Sequence, residues 1–198
     1  MKLSRLILAS ILAVVMVATA CSTSWVNEAI AITNAILPVA VNVIQLVTAL
    51  QGTATSSGDT VLAQKWANTV TADLTTLQTL LNQYNAAAAS AKPGILGQIE
   101  SALAVTQNDL GTLLPVLHIS NAQTVAKITA IVGLVSAEIQ SIAALVQAAQ
   151  STKTSGWHQL SVAKPMTAEE FKTAYKTLVK SRSGYSPLDA ATRALVLP

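Results

Sequence analysis

The sequence predicts an all-α protein: an up-down-up-down four-helix bundle followed by a C-terminal extension containing short helices. Three observations carry this. Four long segments between residues 24 and 150 show apolar residues at helical spacing. Short breaker-rich connections separate them, which favours antiparallel neighbours. The composition is 52% hydrophobic but only 11% charged and 4% aromatic, so the core must be built from Ala, Val, Leu and Ile.

The segment 124–149 gives the cleanest signal. Val125, Ile128, Val132, Val135, Ile139, Ile142, Val146 and Ala149 alternate spacings of three and four, the seam of a helix packed at a shallow angle. Ile131 and Leu145 widen that stripe, and Glu138 falls outside it. In 56–90, Trp66, Val70, Leu77, Leu80 and Tyr84 follow a seam flanked by Leu74 and Leu81. Asp73 occupies a seam position, which means either a buried polar residue or a helix rotated to turn Leu74 inward. Rotation is the simpler expectation. Asp59 is the expected N-cap.

A third helix follows the breaker Lys92-Pro93-Gly94. Leu96, Ile99, Leu103, Leu110 and Leu113 mark its face, and Thr106 fills the gap; Pro115 ends it. Ser120 or Asn121 can cap the next helix. The first segment, 29–50, holds 22 residues without a charge, long enough to cross a bilayer. Asn34, Asn42, Gln45 and Pro38 argue against a span, and three amphipathic segments need a partner. A buried bundle helix, kinked or broken near Leu37, is therefore expected, with bilayer insertion of 29–50 or lipid binding between helices as the alternative.

After residue 150 the texture changes. Linker residues surround a short expected strand, Trp157 to Val162. Residues 167–182 then read as a helix opened by a Thr167/Glu170 capping box. Phe171, Tyr175 and Val179 form one narrow apolar stripe, with Lys172, Lys176 and Lys180 one position over. The aromatic stripe is expected to dock on the bundle with the lysines in water. These three lysines are also the candidate contacts to an anionic membrane surface. Residues 186–198 add one more short helix. The domain organisation is thus 1–20 as a leader, 21–150 as the bundle and 151–198 as linker and basic extension.

Charge follows the same division. Residues 22–150 carry a net −3 and residues 151–198 a net +4. There is no dense Lys/Arg clustering, so a nucleic-acid footprint is not expected. No metal-ligand spacing, Glu-x-x-His pair, nucleophile motif or phosphate-cradling glycine loop occurs. Neither an enzyme nor a cofactor or metal site is expected. Trp25, Trp66 and Trp157 are expected as buried anchors rather than a ligand ring.

The N-terminus reads as an export signal. Lys2 and Arg5 precede about twelve mostly apolar residues and then small ones. Twelve helical residues cover about 18 Å, short of the roughly 30 Å hydrocarbon core. Ala18-Thr19-Ala20 fits ordinary signal cleavage, and Ala18-Thr19-Ala20-Cys21 resembles the lipobox of bacterial lipoproteins, though that family more often has Leu where Ala18 stands. Both readings cut between Ala20 and Cys21. The resemblance covers only the first residues and implies a diacylglycerol-modified Cys21, hence a membrane-lipid partner and anchoring to the cell membrane or outer membrane. An envelope protein partner would be in keeping with that location. Otherwise Cys21 is a free thiol. It is the sole cysteine, so no internal disulfide can protect it in an oxidising compartment, which favours the lipid.

Overall fold

A computed structural model describes residues 24–151 and 165–195; the leader, Cys21, the expected strand at 157–162 and Trp157 lie outside them. Four long helices come first: α1 (Ser24–Ala49), α2 (Ser57–Ala86), α3 (Lys92–Gly111) and α4 (Ala122–Ser151). A 3₁₀ turn at Leu114–Val116 precedes α4, and α5 (Ala168–Lys180) and α6 (Ser186–Arg193) complete the described chain. Among the described residues there are six α-helices and no strand: the protein is an all-α bundle.

Cross-contacts orient the helices. Trp25, near the start of α1, packs its ring 5.1 Å from that of Tyr84, near the end of α2, and Gln78 of α2 donates to Asn34 of α1 at 2.6 Å. Trp66 of α2 donates its indole N–H to the Asp109 carbonyl of α3 at 3.0 Å, while Lys92 sits over the Tyr84 ring. Gln107 of α3 donates to Ser136 of α4, and Gln150 of α4 donates to Glu100 of α3. The Ser120 N–H donates to the Ala54 carbonyl, joining the start of α4 to the end of α1. Each long helix therefore runs opposite to its predecessor, and α4 closes against α1.

The most apolar helix is the hub. Val26, Ala29, Ile32, Ile36, Val39, Val43, Leu46 and Val47 of α1 are all buried, and α1 touches α2, α4, α5 and α6. Pro38 sits inside one continuous helix, so the expected break near Leu37 does not occur. Proline removes one backbone donor from the ladder, but core packing on both sides of it keeps the helix continuous. α2 is rotated as expected: Leu74 is fully buried and Asp73 only partly.

Two local starts differ from expectation, at α2 and α3, and two agree with it, at α4 and α5. Ser56, not Asp59, caps α2; Asp59 is the third residue of a capping box and reaches back to the Ser56 N–H at 2.7 Å. The breaker Lys92-Pro93 forms the first turn of α3, where a missing proline N–H costs nothing. Asn121 caps α4 by accepting the Thr124 N–H at 2.9 Å. Thr167 and Glu170 form their capping box on α5.

Glu138 requires the largest correction. It lies outside the bundle seam, yet it is fully buried. The reason is that α4 buries a second stripe, in which Lys127, Ile131 and Glu138 are buried and Leu134 partly so, where α5 covers its flank. Here α5 fills the groove between α1 and α4 with Phe171, Tyr175 and Val179, and is thus an integral fifth helix.

Candidate functional site

Residues Ala20 and Cys21 lie outside the described residues, and α1 begins at Ser24, three positions after Cys21. At that end of the bundle, Glu28 of α1 accepts the Ala168 N–H at 2.9 Å, so α5 starts beside the start of α1. From there α5 runs along the bundle with its aromatic stripe inward: Phe171 and Tyr175 are fully buried, and the Asn42 amide donates to the Tyr175 hydroxyl at 2.8 Å. Burial raises the Tyr175 phenol to about 12, despite that hydrogen bond. The lysines face outward. Lys172 is half-buried and pairs with Glu169 at 2.9 Å, while Lys176 and Lys180 are exposed. The structure thus puts all three on one outer face, and Lys180 also borders a cleft at the end of α5.

Under that face lies a buried charge system. The Glu138 carboxyl of α4 has no hydrogen-bond partner for either oxygen. Burial, then repulsion from Glu28 of α1 and Glu170 of α5, raises it to about 8, so it is protonated at neutral pH. Toward the other end, Lys127 of α4 donates to the Leu178 carbonyl at 2.7 Å and to the Ser181 carbonyl and hydroxyl at 2.8 Å each. These acceptors lie at the C-terminus of α5, where a cation is favoured. Desolvation lowers the Lys127 ammonium, and Asp189 opposes that.

Two other acid sites are structural. Asp59 accepts from the Ser56 N–H and hydroxyl and from the His118 N–H, each at 2.7 Å. Burial would raise its carboxyl, but these donors outweigh it and hold it below 3.8. The His118 imidazole is exposed, 3.9 Å from the same carboxylate. Asp73 of α2 faces Asp109 of α3; burial and the neighbouring carboxylate raise it to about 6. Among the described residues, no group of three His, Cys, Asp or Glu side chains is placed to hold a metal ion. Trp25 and Trp66 are buried anchors, on Tyr84 and Asp109 respectively.

Concavities among the described residues include a groove and a cleft. A shallow groove of about 360 Å³ between α3 and α4 has Leu103, Ile139 and Ala143 at its floor and Glu100 and Gln147 at its rim. A larger cleft of about 590 Å³ lies between α5 and α6, lined in part by Val179, Lys180, Arg182, Ser186, Arg193 and Leu195. Its turn is made by Gly184, whose φ of +79° suits a residue without Cβ.

No known protein family, curated protein or solved structure matches this chain. Sequence reasoning places Lys180 on a stripe but misses Arg182 and Arg193, which become neighbours only when the 181–185 turn folds α6 back. Lys127 and Glu138 share the spacing of four and seven with Ile131 and Leu134, a second stripe on α4 that is the one available signal for α5 docking.

Proposed function

We propose that the protein is a lipid-anchored cell-envelope bundle with a structural or binding role rather than a catalytic one. The observation that carries this reading is the fate of α1. Both α1 and α4 are long and apolar enough to cross a bilayer, with mean hydropathies of 1.9 and 1.8. Yet α1 is the hub of the core and also buries Thr33 and Asn42. Inserting it would strip the apolar faces of α2, α4 and α5 and carry polar groups into hydrocarbon. Membrane attachment is better supplied from outside the fold, by the acylated Cys21 that the lipobox resemblance implies. Ser22 and Thr23 then form a very short tether, and the outward lysines of α5 begin at the tethered end. A bundle lying along the membrane would set Lys172, Lys176 and Lys180 against anionic headgroups.

Carbonate extraction of wild type and Cys21→Ala tests the reading. The variant is expected to leave the membrane fraction with an unchanged melting temperature. Retention of the variant in the membrane would favour the alternative, insertion of residues 29–50 or uptake of lipid between helices.

A further inference from the structure

We infer that the cleft between α5 and α6 is a binding site for a phosphate group, held by Arg182 and Arg193 with Lys180 at its edge. The inference stands on the cleft itself and holds whether or not Cys21 is acylated.

The cleft has a volume of about 590 Å³, within the range of small-ligand sites. Three cationic side chains border it, and among the described residues none of them is in an ion pair. Its one acid is already engaged: the Asp189 carboxylate accepts from the Ser183 N–H and hydroxyl at 2.8 Å each, and so serves the turn. Arg193 is pre-positioned, because its Nε donates to the Asp189 carbonyl at 3.0 Å. That bond uses only one of five guanidinium donors, leaving a fork suited to bidentate capture of phosphate oxygens.

Two further features favour an anion. Tyr185 gives α6 no side-chain cap, and although Pro187 has no N–H, the Ser186 residue that opens the helix lies in the cleft lining with its backbone donor. Behind the wall, Lys127 is locked onto Ser181, adding a fixed positive charge. Val179 and Leu195 supply an apolar flank, which fits an organic phosphate better than a bare ion. The phosphate can come from a soluble phosphate ester or from a phospholipid headgroup, and the chemistry of recognition is shared.

The test uses the purified full chain. Inorganic phosphate, glycerol 3-phosphate, and phosphatidylcholine vesicles with and without phosphatidylglycerol are titrated while the Gly184 and Ser186 amide resonances are followed. The same is done with Arg182→Gln, Arg193→Gln and, as a control outside the cleft and away from α5, Lys65→Gln, an exposed residue of α2. Saturable shifts with the soluble phosphates, weakened about tenfold by either arginine change and unaffected by Lys65→Gln, support the site and assign it a soluble ligand. The same pattern with phosphatidylglycerol vesicles alone supports it and assigns a headgroup. Arg182 makes no side-chain hydrogen bond among the described residues, so its variant keeps the test valid if Arg193→Gln loosens α6. No shift with any probe would overturn the inference. So would vesicle binding weakened equally by Lys65→Gln and Arg182→Gln, which is adhesion by diffuse charge.

Discussion

Replacing Glu138 by Gln should make the protein more stable as the pH rises, and the structure supplies the magnitude. Glu138 is fully buried without a hydrogen-bond partner, with a folded-state value of about 8 against an ordinary 4.5. Between those values the native state binds a proton that the unfolded chain has lost, so stability falls with rising pH. The loss begins near pH 4.5 and is complete above about 8. At about 1.4 kcal/mol per pH step, it amounts to about 5 kcal/mol, comparable with the whole stability of many domains. Glutamine keeps the shape and cannot ionise. Urea unfolding of both proteins at a series of pH values from 4.5 to 8.5 isolates the effect, because every other titrating group is common to them and cancels. The variant should match wild type within about 1–2 kcal/mol at pH 4.5 and gain several kcal/mol over it by pH 8.5. A difference independent of pH would refute the reasoning, since the carboxyl would then be hydrated or paired.

The other predictions concern the docking of α5 and the start of α2. Phe171→Ala should cost about 3–5 kcal/mol, because the ring is fully buried between the extension and the bundle; a loss under 1 kcal/mol in denaturant unfolding would mean that α5 is not part of the cooperative core. Asp59→Asn should cost about 2–3 kcal/mol at neutral pH. Asp59 is held below 3.8 in the folded state, so its contribution is present above that value and fades as the pH falls through its folded value. The stability gap between wild type and Asp59→Asn should therefore shrink in acid. A gap that widened there would contradict the assigned hydrogen bonds.

What the sequence makes legible is what local chemistry and one apolar period determine. The seam of 125–149 locates α4, and the Thr167/Glu170 box locates the start of α5 to the residue. Leu74 could be preferred over Asp73 because an unpaired buried carboxylate is costly. Period alone fails where one helix serves two neighbours. The second stripe through Lys127, Ile131 and Glu138 makes sense only once α5 lies against it, and its two charges disguise it as a solvated face. Pro38 reads locally as a breaker, but burial along α1 overrides it. Ser56 and Asp59 are both good capping residues, and choosing between them requires knowing that the His118 N–H comes to the same carboxylate. The phosphate cleft is the least legible feature. Arg182 and Arg193 lie eleven positions apart, and only the fold of the turn at Gly184 brings both to one cleft.

Acylation of Cys21 is the proposed means by which the helical bundle is held at the membrane. Intact-mass and peptide mass spectrometry of the mature protein, isolated from its native membrane, tests it most directly. An N-terminal Cys21 carrying a diacylglycerol adduct and fatty acyl mass, with nothing preceding it, is expected. A mature chain beginning with an unmodified Cys21, or retaining residues 1–20, would contradict it.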